Sequence, residues 1–358
     1  MNNNPQKISV LGAGIMGIIS AYTLKNRFPN AKITLYDPKG FPAENASFAA
    51  GGMIAPLSEL DHMPHSYLPA GFDAINEWQS ITNALPTPFE FSAKGSLLIT
   101  HDADRHLLER FKSLLPTNSN DWAQISAQDI ATLEPAINTG TFRQGIHMLR
   151  EAHLHPQKAM QAMLKALPNK HAKAIEPNQE SKNADWIIDC RGMAGAKDTP
   201  NLRGVKGEIL IVHNPEFKLS RPLRLMHPRY PLYIVPRDGG IFMIGATIIE
   251  SDEGNYVAIR SGMELMSALY SIDRSFGDAK ILEMKSGIRP SYPDNLPRIH
   301  TNGNIISANG LYRHGFLFSP VMAQTIAHYI ADEKYKHTNL FLKEASHENN
   351  VERRTANA

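Results

Sequence analysis

Two short apolar runs near the start of the chain flank a stretch with helical spacing. Residues 8–11 form a short, mainly apolar run that ends at Gly12, which predicts a buried parallel strand. Apolar residues recur at helical spacing over 15–26, and residues 33–36 form a second β-rich run that ends at Asp37. A strand, a helix and a strand in this order predict one βαβ unit.

The rest of the pattern alternates between helical and strand periods. Helical spacing predicts further helices over 71–85, 101–115, 126–133, 156–167, 260–270 and 319–331. β-Rich runs predict strands over 89–100, 185–189, 208–212, 232–235, 241–244 and 305–308. The α/β segments lie at both ends and in the centre, and β-rich stretches separate them.

This arrangement predicts an α/β fold, α+β over the whole chain, with two domains. We expect a Rossmann-type cofactor domain with a parallel sheet, built from the discontinuous segments 1–85, 142–205 and 286–342. We expect an antiparallel-sheet substrate domain built from 86–141 and 206–285. The polar residues 343–358 predict a flexible tail.

Composition and charge argue against several classes of protein. Of the 358 residues, 42% are hydrophobic and 20% are charged, and a formal net charge of +2 gives no basis for a nucleic-acid or membrane partner. No apolar run is long enough to predict a membrane span, and the first residues do not resemble a secretory signal. A single cysteine, Cys190, fits a reducing compartment. We therefore expect a cytoplasmic protein without a metal site, and self-association into a homo-oligomer stays open.

Residues 12–17 read Gly-Ala-Gly-Ile-Met-Gly and lie between the first predicted strand and helix. In such a motif Gly12 permits the tight turn, Gly14 lets a pyrophosphate approach the backbone, and Gly17 lets the helix pack against the sheet. The following helix N-terminus offers N–H groups to phosphates. Asp37 follows Gly17 by about twenty residues, where an acidic side chain accepts hydrogen bonds from ribose hydroxyls. The segment therefore predicts a dinucleotide site.

The glycine motif alone leaves NAD and FAD equally open. It also suits NAD-dependent β-hydroxyacid dehydrogenases, which continue as further βα units and a mostly helical domain. This chain continues instead into a run of mainly small residues at 46–53, Ala-Ser-Phe-Ala-Ala-Gly-Gly-Met, and later into a β-rich middle. Because small residues let a flavin ring lie against the backbone, this continuation favours FAD.

Four sequence blocks share one order and spacing with a known group of proteins. They are 12–17, 46–53, 233–247 with its Tyr-Ile-Val-Pro-Arg-Asp-Gly, and 287–320 with its Gly-Ile-Arg-Pro and Gly-Leu-Tyr-Arg-His-Gly. With these blocks the chain resembles the D-amino-acid oxidase superfamily of flavoproteins, and within it the glycine oxidases associated with thiamine biosynthesis. The resemblance extends to about residue 342. It implies FAD, a two-domain fold and oxidation of an amino acid or small amine.

The resemblance assigns a substrate site. Arg289 matches the arginine that binds a carboxylate in the family, a task that suits a planar guanidinium because it binds bidentately. Tyr233 and Arg313 match a tyrosine and a second arginine of the substrate pocket. Met53 would lie near the flavin ring, and Ile248 stands where these glycine oxidases carry a methionine. No side chain is assigned as an acid or a base.

The resemblance also assigns the cofactor site. In the family, the helix entry between Gly315 and Pro320 lies beside the flavin, where a helix N-terminus stabilises negative charge on the reduced ring. Arg191 is unusual at its position and is predicted to contact phosphate or adenine. The segment 169–184 is shorter than in relatives, which predicts a more open adenine end. The residues predicted to bind FAD are Gly12, Gly14, Ile15, Met16, Gly17, Asp37, Pro38, Ser47, Ala49, Ala50, Gly51, Gly52, Met53, Arg191, Gly192, Arg289, Arg313, His314, Gly315 and Phe316.

The implied reaction is hydride transfer from substrate to flavin. Arg289 fixes the carboxylate, the amine is neutral and the Cα–H points at the flavin, so the protein supplies orientation and electrostatics. The imine is then hydrolysed to an oxo acid and ammonia, and reoxidation by O2 gives H2O2. Two other hypotheses stay open: a dehydrogenase that passes electrons to a quinone or another protein, and a flavin-binding accessory protein without turnover.

Overall fold

The structure is a computed structural model that describes residues 5–117, 119–171, 183–229, 231–254 and 256–343. These residues form three β-sheets. The predicted flexible tail, apart from Lys343, lies outside the described residues, and so does most of the predicted short segment 169–184.

The first sheet is mainly parallel and contains the predicted βαβ unit. Its strands are β1 (Lys7–Leu11), β2 (Lys32–Tyr36), β9 (Lys170–His171), β10 (Trp186–Asp189), β17 (Arg298–Asn302), β18 (Ile305–Asn309) and β19 (Leu342–Lys343). Strand β1 pairs in parallel with β2 on one side and with β10 on the other. Residues 8–11 of β1 are all buried, as expected for a central strand of a parallel sheet that is covered on both faces.

Four helices pack around this sheet and share its core. They are α1 (Ile15–Arg27), α2 (Leu68–Ala84), α5 (Pro156–Ala166) and α7 (Gly315–Ile330). Helix α1 packs against α7, and α2 packs against α7 from another side. Because α7 is buried along most of its length, its nearly continuous apolar sequence is that of a core helix.

The second sheet is mainly antiparallel and has its own hydrophobic core. Its strands are β5 (Ser96–Thr100), β6 (Trp122–Ser126), β7 (Gln144–Met148), β11 (Arg203–His213), β12 (Leu223–Met226), β13 (Leu232–Arg237), β14 (Ile241–Gly245), β15 (Ile249–Glu250) and β16 (Lys280–Ser291). Helices α3 (Arg105–Lys112), α4 (Ala127–Leu133) and α6 (Ile259–Ile272) lie along it. Strand β11 lies between β14 and β16, so β16 brings the C-terminal part of the chain into this sheet.

A small third sheet lies where the run 46–53 ends. Its strands are β3 (Met53–Ile54), β4 (Phe91–Ser92) and β8 (Ala152–Leu154), with β8 in the middle. The remaining elements are helix α8 (Thr338–Phe341) and the short 3-10 helices His65–Tyr67, Asp102–Asp104, Gly192–Asp198 and Arg274–Asp278.

The predicted fold class is confirmed, since a mainly parallel sheet with helices accompanies a mainly antiparallel sheet. One predicted helix starts earlier than expected: α7 begins at Gly315 and contains Pro320. A proline inside a helix leaves the carbonyl four residues earlier without its usual partner. Here that carbonyl belongs to Phe316, and it accepts a hydrogen bond from Trp78 Nε1 at 2.7 Å. The indole therefore replaces the lost helix bond.

Strand β16 was not predicted, because its sequence carries charges, a glycine and a proline instead of a β-rich run. Strand β7 pairs with β5 and β6 and so belongs to the second sheet. The predicted domain boundary instead assigned residues from 142 onward to the cofactor domain. The other domain boundaries stay a prediction. Over the described residues, no helix is both long and apolar enough to cross a membrane.

Candidate functional site

The glycine-rich turn between β1 and α1 is closely packed against its own backbone. Gly12 has a φ of +96°, and a Cβ at this position would lie 2.6 Å from the carbonyl oxygen of Cys190. A Cβ on Gly17 would lie 1.8 Å from the carbonyl oxygen of Gly12. Both positions therefore require glycine for the fold itself.

Gly14 differs from these two glycines because neither its backbone angles nor its neighbours require a glycine at this position. Its φ of −74° and ψ of 177° are open to any residue. A Cβ on Gly14 would have only Ser47 Oγ, at 3.4 Å, and Asn45 Nδ2, at 4.0 Å, nearby. Helix α1 starts at the next residue, Ile15, without an acidic residue in its first turn or a side-chain cap. Open space beside a positive helix end fits a pyrophosphate, so these residues fit a dinucleotide.

Two side chains hold the amides of this turn. Asp37 is buried at the end of β2 and accepts a hydrogen bond from Ala13 N at 2.7 Å. Ser47 Oγ accepts one from Ile15 N at 3.0 Å, which ties the run 46–53 to the start of α1. Asp37 and Ser47 thus lie beside the glycine turn, and their contact with FAD stays a prediction. Pro38, next to Asp37, is exposed.

Arg191 is held by acidic residues of its own chain. Its guanidinium donates to Asp189 Oδ1 and Oδ2, both at 2.9 Å, and to Asp198 Oδ2 at 2.6 Å. The hydrogen bonds to Asp189 are the main reason that the pKa of Arg191 lies above its usual value. Gly192 follows with a φ of +57°. Since two carboxylates already balance this charge, a contact between Arg191 and FAD stays a prediction.

The start of helix α7 lies beside the start of α1. A Cβ on Gly315 would lie 3.4 Å from Ile15 Cγ2. Neither helix has an acidic residue in its first turn. Phe316 stacks on Trp78 with a centroid distance of 6.0 Å, which fixes the first turn of α7. Two neighbouring positive helix ends suit an anionic cofactor, so the predicted FAD residues 12–17 and 314–316 come together here.

The small-residue run packs against the second sheet. Ala49 and Met53 contact the cluster that contains Met243 of β14. A Cβ on Gly51 would lie 2.3 Å from Met243 Cε, and Arg237 donates to the Gly51 carbonyl oxygen. The run therefore lies between the glycine turn and the strands that carry the predicted substrate residues.

Arg289 is a cation without a carboxylate partner among the described residues. It lies on β16, and its Nη1 donates to the carbonyl oxygen of Thr247 at 3.1 Å. Its guanidinium packs directly on Gly207 of β11, where a Cβ would lie 2.1 Å from Nη2. Burial, helped by the nearby Arg313, lowers the pKa of Arg289 to about 10. A partly buried guanidinium without a carboxylate partner among the described residues fits the carboxylate of a bound substrate.

The contact between Gly207 and Arg289 yields a prediction. We expect Gly207→Ala to displace the guanidinium, because the added Cβ would lie 2.4 Å from Arg289 Cζ. The displaced group ends a flexible side chain, so the fold should survive. Steady-state kinetics should show KM raised roughly tenfold or more, with kcat changed less, since substrate binding loses part of a charge-assisted hydrogen bond. Gly140→Ala, at an exposed loop glycine, is the control. An unchanged KM in Gly207→Ala would contradict the assignment.

Arg313, in contrast to Arg289, has its charge balanced. Its Nη2 donates to Glu59 Oε1 at 3.0 Å and to the Tyr233 hydroxyl at 3.2 Å, and its Nη1 lies 3.0 Å from His62 Nε2. Tyr233 donates to the same Glu59 oxygen at 3.0 Å. His314 Nε2 lies 3.2 Å from Glu59 Oε2. Burial would raise the pKa of Glu59, but Arg313 and His314 hold it well below its usual range. The predicted residues Tyr233, Arg313 and His314 thus meet around a carboxylate that was not predicted.

Glu59 lies in a segment that was not predicted to belong to the site. Residues 57–62 read Leu-Ser-Glu-Leu-Asp-His and follow the small-residue run closely. The buried Arg224 donates to the Ser58 carbonyl oxygen and pairs with Asp61. The available signal was three titratable residues within an apolar stretch, because buried charges require partners.

Ile248 lies next to the anchor of Arg289. It follows Thr247, whose carbonyl oxygen accepts the Arg289 hydrogen bond, and Ile248 itself is 44% exposed. The buried Glu208 holds both ends of the segment 247–258. Its backbone N–H donates to Thr247 Oγ1 at 2.9 Å, and its carboxylate accepts from Ala258 N at 2.9 Å. Ile248 is therefore placed beside the predicted substrate residues.

A second buried acid, Glu151, supports the segment 57–62. It accepts hydrogen bonds from Ser58 N at 2.6 Å, from Ser58 Oγ at 2.8 Å and from Ser96 Oγ. No cation pairs with it in the described part of the chain. Burial raises the pKa of Glu151 from its ordinary 4.5 to about 7, although these hydrogen bonds act to lower it.

The raised pKa of Glu151 yields a prediction about stability. The folded chain binds the Glu151 proton more tightly than the unfolded chain does. Glu151 therefore contributes fully to the free energy of unfolding below its pKa in the unfolded chain, and this contribution is lost as the pH rises to about 7. The loss is about 3 kcal/mol. We expect Glu151→Gln to gain stability relative to wild type between about pH 5 and pH 8, measured by urea unfolding. The exposed Glu253→Gln is the control. If the free energies of unfolding of wild type and Glu151→Gln differed by the same amount at about pH 5 and pH 8, this prediction would be contradicted.

Comparisons with known proteins agree with this geometry. The family model described as FAD dependent oxidoreductase (DAO) matches residues 7–329. The chain is 38% identical over 330 residues to a putative thiamine biosynthesis oxidoreductase ThiO of Rhizobium etli, covering 92% of this chain and 97% of that protein. It is 25% identical to the glycine oxidase of Bacillus licheniformis over 91% of this chain and 93% of the relative. The crystal structure of glycine oxidase from Geobacillus kaustophilus superimposes with a TM-score of 0.79 at 18% identity, covering 93% of this chain and 96% of the other.

Proposed function

Since this chain belongs to the FAD-dependent oxidoreductase family, we propose that it oxidises a small amino acid or amine whose carboxylate binds to Arg289. The observation that carries this proposal is the partly buried guanidinium of Arg289, which has no carboxylate partner among the described residues. Glycine, sarcosine and small D-amino acids are the candidate substrates. The names of the relatives, a thiamine biosynthesis oxidoreductase and a glycine oxidase, support this class.

The residues that fit FAD come from both ends of the chain. Gly14 and the start of α1 would hold the pyrophosphate, and Asp37 would hold the ribose. The run 46–53 and the start of α7 would flank the flavin. Bound FAD would supply the redox chemistry, which is acceptance of a hydride from the substrate Cα and transfer of its electrons to an acceptor.

The two arginines take different parts in this proposal. Arg289 binds and orients the carboxylate, because its positive charge is not compensated within the described chain. Arg313 is neutralised by Glu59, so it positions the Tyr233 hydroxyl instead of competing for the substrate. Burial raises the pKa of Tyr233, which therefore stays protonated and acts as a hydrogen-bond donor. The two arginines and Glu59 together thus leave one positive charge, that of Arg289, to bind a single carboxylate.

Product analysis in air tests this function. The holoenzyme is incubated with glycine, sarcosine, D-alanine or D-proline, and the oxo acid, the released amine or ammonia, and H2O2 are quantified. Equal amounts of oxo acid and H2O2 from at least one substrate support an oxidase. Oxo acid that forms only with an added quinone would indicate a dehydrogenase of the same substrate. No oxo acid under either condition would overturn the proposal and favour a flavin-binding accessory protein.

A further inference from the structure

Helix α6 is apolar on two opposite sides. One side is buried in the core of the second sheet and includes Leu265, Leu269 and Ile272. The other side carries a stripe at spacings of four, three and four residues, and all of it is exposed: Ile259, Met263, Met266 and Tyr270. Ile259 is 84% exposed and Met263 is 60% exposed. This spacing is that of a helix seam which packs against another helix, and a surface helix normally has only one apolar face.

Strand β16 extends this exposed stripe. Among the described strands it pairs with β11 alone, so it is an edge strand of the second sheet. Ile281 and Met284 pair with Val212 and Leu210, which belong to the core on the α6 side of the sheet. Met284 lies against α6, since a Cβ on Gly262 would lie 3.0 Å from its Cε. We define the outer patch as six side chains: Ile259, Met263, Met266, Tyr270, Ile281 and Met284.

We propose that the outer patch is the contact surface for a second copy of this chain, with the two α6 helices packed antiparallel across a twofold axis. The six residues expose roughly 700 Å², close to the ~800 Å² that each partner buries in a standard interface. Contiguous apolar patches of this size are rare on monomers. An antiparallel seam is complementary to itself, because it places Ile259 of one helix beside Tyr270 of the other, and Met263 beside Met266.

The charges of α6 fit the same arrangement. Its first turn contains Arg260 and no acidic residue, although that end of a helix is positive. Its last turn contains no basic residue, although that end is negative, and Asp273 follows it. In an antiparallel pair, Arg260 of each copy lies beside the negative end of the other helix. Each helix thus supplies the charge that its partner lacks.

The mass of the holoenzyme in solution tests this interface. Wild type at micromolar concentration should have at least twice the mass of one chain by light scattering after size exclusion. Met263→Glu should weaken self-association by at least about a hundredfold, because it buries an unpaired charge at the centre of the seam. Leu149→Glu, at an exposed apolar residue outside the patch, should leave the mass unchanged. A monomeric wild type would overturn the proposal, and so would a Met263→Glu variant with the wild-type mass.

A cross-link gives a readout that does not depend on the stability of the charged variant. The one native cysteine, Cys190, is buried, so cysteines introduced at Met263 and Met266 would be the reactive thiols. The double variant Met263→Cys/Met266→Cys should form a covalent dimer under mild oxidation, because the seam places position 263 of one copy beside 266 of the other. A Leu149→Cys variant should not. Absence of the covalent dimer in the double variant would also overturn the proposal.

Discussion

Replacing Arg289 by alanine is expected to raise KM for the carboxylate-bearing substrate by about thirtyfold or more. The loss of one partner of a hydrogen-bonded charge pair that is shielded from water costs about 2 kcal/mol or more, which corresponds to this factor. Arg289→Lys should recover only part of the affinity, because an ammonium keeps the charge but not the planar, bidentate geometry. Steady-state kinetics with the best amino-acid substrate, at constant flavin occupancy, provide the measurement.

The matched control for Arg289 is Arg143→Ala. Arg143 is an exposed arginine of the second sheet region whose partner is Asp102. Its replacement should leave KM unchanged within error. If Arg289→Ala kept the wild-type KM, Arg289 would not bind the carboxylate, and the substrate assignment would fail. A rise in KM for an amine that lacks a carboxylate would also contradict this role.

The Gly14→Val variant is expected to fold and to lose its FAD. The backbone at Gly14 accepts a β-branched residue, since its φ is −74° and its ψ is 177°. The new methyl groups would enter the space beside the start of α1, where phosphate oxygens would accept hydrogen bonds from N–H groups. We expect the affinity for FAD to fall by at least about a hundredfold, because several charge-assisted hydrogen bonds are lost together. The FAD content per chain, read from the flavin absorbance, is the measurement.

Three comparisons separate cofactor loss from misfolding in this experiment. The urea midpoint of Gly14→Val should match that of wild-type protein stripped of FAD. Gly17→Ala, whose Cβ would lie 1.8 Å from the Gly12 carbonyl oxygen, should lower that midpoint. Gly140→Val, at an exposed loop position, should retain full FAD. One FAD per chain in purified Gly14→Val would contradict the proposed pyrophosphate position.

Local sequence patterns were sufficient for the first βαβ unit of the cofactor half. The turn from β1 into α1 is encoded within residues 8–37, because the strand period, the helix period and the glycines all act over short distances. The start of α7 was less predictable. Pro320 suggested a later start, and the compensating bond from Trp78 joins residues that are far apart in sequence.

The predictions for the substrate site depended more on the family resemblance than on the hydrophobic and polar pattern. Arg289, Tyr233 and Arg313 were named from matched motifs. The structure brings Tyr233 and Arg313 together at Glu59, whereas Arg289 lies at the carbonyl oxygen of Thr247. Their electrostatic partners were not predictable, because Glu59 meets Arg313 only after the chain has folded over more than half its length. The distinction between the free Arg289 and the neutralised Arg313 therefore required the structure.

Anaerobic titration of the purified holoenzyme tests the central claim most directly. Glycine, sarcosine, D-alanine and D-proline are added in turn while the visible absorbance of oxidised flavin is followed. We predict that at least one of them bleaches the flavin fully, and that Arg289→Ala requires a far higher concentration of the same substrate. A flavin that dithionite reduces but none of these amino acids reduces would contradict the account.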